Sequence, residues 1–178
     1  MGKRKSEDEI RKAIKSGAIT KEYKADPKHI ITELNKLRST EISSYLQYKQ
    51  HAYMAVSLMA PGLKTEFEGH ANQELQHADA LAERIQQLGG VPIYELDEIA
   101  KKSGRAGVRA EQGTTLRDMV AQDLLLERNQ IESYTRLIRK TGDNDPVTHQ
   151  ILVNVLQDTE KHAGELADFL TRTADTRK

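Results

Sequence analysis

A set of glutamates falls inside the apolar stripes of this chain's predicted helices, and no other feature limits its possible folds so strongly. Glu41, Glu74 and Glu127 each occupy a place where the 3.6-residue rhythm calls for a core side chain, and His77 follows Glu74 by three residues on the same face. Burying several carboxylates together is so costly that a folded chain tolerates it chiefly when they are protonated, paired or wrapped around a cation. The set therefore reads as a metal site inside a helix bundle.

Four helices carry these residues. Asp26-Pro27 reads as an N-cap followed by proline at the first helical position, after which Ile30, Leu34, Leu37, Glu41, Tyr45, Tyr48 and Ala52 recur at spacings of three and four, up to Ala60-Pro61-Gly62. The second helix spans about Leu63 to Leu88, with Phe67, Ala71, Glu74, Ala78, Leu81, Ile85 and Leu88 on one stripe and Gly89-Gly90 as its stop. The third starts at Thr114 or Thr115, where Thr115 and Asp118 form an acidic capping box, and carries Leu116, Val120, Leu124, Glu127, Ile131, Tyr134 and Ile138 before Gly142. Asp145-Pro146 repeats the cap-and-proline device for a fourth, whose inner face is Leu152, Val155, Thr159, His162, Leu166 and Phe169.

Short links after Ala60 and from Thr141 to Asp145 join antiparallel neighbours, whereas the long stretch 89–113 can carry the chain the length of a bundle. The expected fold is all-α: an antiparallel four-helix bundle over 25–178 with one long crossover between helices two and three. Residues 1–24 hold eight Lys/Arg against four acidic residues and read as a separate basic arm, with a short helix around Glu7–Lys15.

Composition excludes several chemistries. There is no cysteine, so disulfides, zinc ribbons, thiolate iron centres and cysteine nucleophiles all drop out, and a bound metal must be held by oxygen and nitrogen. Lys+Arg and Asp+Glu are both 27, so any case for nucleic acid rests on the arm and not on the whole molecule. No apolar run is long enough for a membrane span, and the start MGKRKSEDEI has no hydrophobic stretch resembling a secretory signal; a cytoplasmic location and no membrane contact are expected.

A lone Glu-x-x-His is weak in a chain this rich in glutamate, but its place on the stripe strengthens it. A carboxylate and an imidazole three residues apart can bind one ion, and bridging carboxylates can hold two ions ~4 Å apart. Di-iron bundles use one Glu from each of two helices plus Glu-x-x-His from each of the other two. Helix four departs from that scheme, because Thr159 stands three residues before His162. Asp158 and Glu160 flank it by about 100° on either side. The spacing from Glu41 to Glu74 equals that from Glu127 to Glu160, which places Glu160 in the candidate set, whereas the match of HADALA (77–82) with HAGELA (162–167) aligns Glu74 with Thr159.

Glu41-Ile-Ser-Ser-Tyr-Leu-Gln-Tyr48-Lys-Gln-His51-Ala, Glu74-Leu-Gln-His77-Ala-Asp, Asp123-Leu-Leu-Leu-Glu127 and His162 together resemble the bacterioferritin and ferritin-like set, over residues 27–171. The resemblance implies a di-iron centre with Glu41, Glu74, His77, Glu127 and His162 as ligands and Tyr48 beside the metals. Haem is not implied, since Leu75 stands where bacterioferritin has its haem-ligating methionine. The absence of cysteine excludes rubrerythrin's second iron domain. Only 16 residues follow His162, too few for the fifth helix of 24-subunit cages, so the resemblance is to dodecameric, Dps-like mini-ferritins with a bacterioferritin-type site.

The expected function is Fe(II) oxidation by peroxide or oxygen with storage of ferric mineral in a homo-oligomeric cage. Two alternatives stay open: a peroxide-removing enzyme like rubrerythrin or manganese catalase without storage, and a nucleoid protein that binds DNA through residues 1–24. His29, His51, His70 and His149 read as surface or helix-end residues, and Tyr45, Tyr48 and Tyr134 as core residues with a satisfied hydroxyl.

Overall fold

The computed structural model describes residues 6–57, 61–104 and 115–175. Among these residues six α-helices order as α1 (Glu7–Ser16), α2 (Pro27–Ser57), α3 (Pro61–Gln87), α4 (Leu96–Lys102), α5 (Leu116–Thr141) and α6 (Pro146–Asp175), with a 3-10 turn at Gly142–Asn144. The four long helices are the four predicted. Among the described residues there is no strand, and no helix is long and apolar enough to cross a membrane.

The caps form as their chemistry requires. Asp26 Oδ1 accepts from the Lys28 N–H at 3.0 Å, Asp145 Oδ1 accepts from the Thr148 N–H at 3.0 Å, and Thr115 and Asp118 close the reciprocal capping box. Thr114, the other proposed start, lies outside the described residues, as do Lys3, Arg4 and Lys5 of the arm. Gly90 marks a close approach: a Cβ there would come within 2.8 Å of Ile31.

Two apolar clusters fill the bundle. One gathers Ile30, Leu34 and Leu37 of α2, Leu81, Ile85 and the adjoining Leu88 from α3, Tyr134 and Leu137 of α5, and Leu152 and Val155 of α6. The other gathers Tyr48, Ala52 and Ala55, Phe67 and Ala71, Met119 and Val120, and Leu166. In chain order α2 and α6 run from the first cluster to the second, while α3 and α5 run from the second to the first. Thus α3 and α5 are parallel and the segment between them crosses the bundle lengthwise. Between its two apolar stretches each long helix places buried polar residues: Glu41 on α2, Glu74 and His77 on α3, Glu127 on α5, then Thr159 and His162 on α6.

The crossover contains a short helix that the sequence pattern did not suggest. α4 packs on α2 through buried Ile99. Two α2 side chains hold the strand of chain before it: Asn35 Oδ1 accepts from the Ile93 N–H at 3.0 Å, and Arg38 donates to the Ile93 carbonyl while its guanidinium lies 4.4 Å from the Tyr94 ring centroid.

The expected short helix of the arm is α1, and all its residues are exposed. Beyond it the arm rejoins the bundle. Ile19, Tyr23 and Ala25 pack against the first cluster, and the Tyr23 hydroxyl donates to Asp145 Oδ2 at 2.8 Å.

Candidate metal centre

Glu41, Glu74, Glu127 and His162 are wholly buried and His77 is nearly so, with 6% exposed. Two overlapping groups form, each with ligand-type atoms within 4.8 Å of one another: Glu41, Glu74 and His77, and Glu74, Glu127 and His162. Glu74 belongs to both. Its Oε1 lies between the two imidazoles, 3.9 Å from His77 Nδ1 and 3.5 Å from His162 Nδ1.

Each of the five side chains has one polar atom engaged by the protein. Tyr134 donates to Glu41 Oε1 at 2.6 Å, Gln130 donates to Glu74 Oε2 at 3.1 Å, and the Tyr48 hydroxyl donates to Glu127 Oε1. His77 Nε2 lies 3.2 Å from Asp158 Oδ2, and His162 Nε2 lies 2.9 Å from Gln73 Oε1. The opposite atoms, Glu41 Oε2, Glu74 Oε1, His77 Nδ1, Glu127 Oε2 and His162 Nδ1, are buried without a hydrogen-bond partner. Orphaned buried polar atoms are rare because each forfeits its hydration. Five together, each on a side chain whose other polar atom is engaged by the protein, match the pattern of metal ligands held by outer partners.

Protonation shows how the cluster stands without a cation. Burial, then the nearby Glu74, pushes the Glu41 carboxyl well above its ordinary range. Glu127 rises to about 7, again through burial, with the His162 imidazole 3.3 Å away opposing. Glu74 resists burial and falls, because the His162 imidazole 3.5 Å away, the neighbouring Glu41 and the hydrogen bond from Gln130 all favour its charged form. His162 rises to about 9: burial opposes its charge, but Glu127 and Glu74 more than offset this. The phenols of Tyr48 and Tyr134 rise far above their ordinary value through burial and the neighbouring carboxylates, so both stay neutral donors. Protons and a cation would compete for these same groups.

Helix four needs a correction. Glu160 is exposed and joins neither group, whereas Asp158, on the other flank of buried Thr159, reaches His77. The helical phase that aims His162 inward turns position 158 toward α3 and position 160 away from it. Thr159 donates its hydroxyl to the Val155 carbonyl at 2.9 Å and presents no carboxylate. Leu75, next to Glu74, is exposed.

His51 and His70 also depart from expectation, since both are buried. His51 Nδ1 lies 2.8 Å from Asp123 Oδ2, and Gln47 donates to Asp123 Oδ1 at 2.7 Å. His70 stacks on His162 with ring centroids 4.0 Å apart and meets Tyr48 edge-on. Sequence periodicity misses Gln130 and Gln73 because it selects apolar residues. One available sign was Asp123, four residues before Glu127 on the same face.

The ferritin-like domain family matches residues 31–175. A bacterial ferritin of Pseudomonas aeruginosa is 32% identical over 133 residues, covering 74% of this chain and 79% of that relative. A nutrient stress-induced DNA-binding protein of Nostoc is 26% identical over 151 residues, covering 82% of this chain and 80% of the relative. Among solved structures, the bacterioferritin-related protein of Bacteroides fragilis, described as a dodecameric thioferritin, superposes with a TM-score of 0.78 at 30% identity, over 86% of this chain and 91% of that one. With its length matched and its buried polar layer spread over four helices, the chain belongs to the ferritin-like domain family.

Proposed function

We propose that the chain is a subunit of an iron-storage cage that oxidises Fe(II) with peroxide or oxygen at a di-iron site inside each bundle and keeps the ferric product as mineral. The observation that carries this reading is that three buried carboxylates and two buried imidazoles meet in two overlapping groups that share Glu74. Oxygen and nitrogen donors of this kind suit iron, and three carboxylates stabilise the more highly charged ferric product. Iron held there supplies the redox chemistry: two Fe(II) reduce one peroxide to two waters with uptake of two protons.

The protein residues do the rest. Glu41 and His77 would hold one ion, Glu127 and His162 the other, and Glu74 would bridge them. Tyr134, Gln130 and Tyr48 fix the carboxylates, while Asp158 and Gln73 orient the imidazoles. Because Thr159 offers no second carboxylate, each ion would have three donors from the protein, and an oxidant would have room to approach. The protons shared among Glu41, Glu127 and His162 leave as cations enter. Tyr48 and Tyr134 exclude water from two sides.

A dodecameric shell is part of the proposal, supported by the similarity to the Bacteroides fragilis protein over most of both chains. DNA contact is a second reading. It draws on the name of the Nostoc relative and on the exposed Arg11, Lys12 and Lys15 of α1, and predicts binding that weakens steeply with salt.

Adding Fe(II) anaerobically and then peroxide, with ferric absorbance followed, tests the main reading. Wild type should oxidise within the mixing experiment, and the Glu74→Ala, Glu127→Ala double variant should be slower by orders of magnitude. Equal rates would remove the buried site from the reaction.

A further inference from the structure

A second grouping of ligand-type atoms lies outside the buried centre, at the side of α3 and α6. Glu66 and His70 sit one helical turn apart on α3, and Glu165 faces them from α6, with one atom of each within 4.8 Å of the others. His70 is only 3% exposed, while both glutamates reach solvent. His70 Nε2 lies 3.1 Å from Glu165 Oε2 and 3.7 Å from Glu66 Oε1.

We propose that Glu66, His70 and Glu165 form a third divalent-cation site, mononuclear and solvent-accessible, for a first-row metal such as Fe(II) or Zn(II). The distances favour an ion over hydrogen bonds alone. One neutral imidazole N–H can satisfy Glu165, but 3.7 Å is too long for a hydrogen bond to Glu66. Two carboxylates then converge on a single donor, a repulsive arrangement that a dication reverses. Around a metal with bonds of about 2.0–2.2 Å, tetrahedral ligand atoms stand roughly 3.3–3.6 Å apart. The observed separations bracket that edge length.

His70 sets the geometry of the group. Its ring is more than nine-tenths buried and its Nε2 faces the two carboxylates. Packing against Tyr48 and stacking on His162 fix the ring, so the nitrogen is preset and only the carboxylates need to move. Beside the group, a cleft of about 540 Å³ bordered by Gly62, Leu63, Asp168 and Phe169 gives an ion and its waters a way in. Glu165 Oε1 lies 3.6 Å from Lys161 Nζ, which leaves Oε2 for the site.

An ion here stands one stacked imidazole from His162 and thus beside the buried pair. That position as an approach to the pair rests on the di-iron reading, but binding at the site does not. The test uses Zn(II) on the assembled protein, with stoichiometry from equilibrium dialysis and position from anomalous scattering. Wild type should bind three Zn(II) per chain with a peak bonded to His70 Nε2. A Glu66→Gln, Glu165→Gln variant, altered only at solvent-reaching positions, should bind two and lose that peak. Equal stoichiometry in both proteins, or no peak at His70 in wild type, would overturn the third site. A peak at His70 with none among Glu41, Glu74 and Glu127 would keep this site and sink the di-iron reading instead.

Discussion

Tyr134 of α5 donates its phenolic hydrogen to Glu41 Oε1 of α2 at 2.6 Å, with both side chains fully buried. One atom of the carboxylate is thereby tied to the opposite helix, and Oε2 is left facing the cluster. Replacing Tyr134 with Phe removes the donor and keeps the ring. It should cost about 1–3 kcal/mol of stability in the metal-free protein. Metal affinity should fall ~10–100-fold, as when an outer partner of a ligand is lost. Denaturant midpoints and Zn(II) titration measure the two effects, and an unchanged affinity would show that Glu41 needs no positioning.

The metal-free protein should lose stability as pH rises from about 5 to 9. Glu127 has its folded value raised from 4.5 to about 7, so the stability it gives is present below 4.5 and lost as pH climbs through 7. For His162, raised from 6.5 to about 9, the corresponding loss runs from 6.5 through 9. The two act in the same direction as one interacting pair, on the order of a few kcal/mol. Saturating Zn(II) should reverse the trend across that window, because cations displace protons more readily as pH rises. Denaturant melts at several pH values, with and without zinc, give both slopes.

Thr159→Glu should restore the second Glu-x-x-His. Without metal, the added buried carboxylate should destabilise the bundle by ~2–5 kcal/mol. With Zn(II) the loss should be recovered and affinity should exceed that of wild type by at least about tenfold, or ~1.4 kcal/mol. Thermal melts of the two proteins with and without zinc decide it. A destabilised variant that zinc cannot rescue would mean that position 159 does not face the ions.

Arg84→Ala is the contrasting change. Arg84 donates to Thr148 Oγ1 and to Asp145 Oδ1, each at 2.8 Å, and Asp145 also accepts from Tyr23. Loss of the buried cation should cost about 3–5 kcal/mol. This network lies among the residues of the first apolar cluster and touches none of the candidate ligands, so Zn(II) stoichiometry should stay at the wild-type value.

The helices were legible because their stripes and caps are local: every residue of the α3 stripe, from Phe67 to Leu88, is buried. On α5 the expected stripe holds only in part: Val120, Glu127 and Tyr134 are buried. Leu116, Leu124, Ile131 and Ile138 are only partly buried, and Asp123, Gln130 and Thr141 hold the inward positions. A rhythm sought among apolar residues cannot find a face built partly of polar ones. His51 and His70 were misplaced for a related reason, since the acids that make their burial tolerable, Asp123 and Glu165, lie 72 and 95 residues away. Glu160 failed because equal spacing along the chain does not fix which flank of Thr159 turns inward.

Anomalous scattering from crystals loaded with Fe(II) under anaerobic conditions tests the di-iron centre most directly. Two iron peaks roughly 3.5–4 Å apart should appear inside each bundle, one bonded to Glu41 and His77, the other to Glu127 and His162, with Glu74 touching both. A bundle interior without iron, or with peaks confined to surface carboxylates, would contradict it.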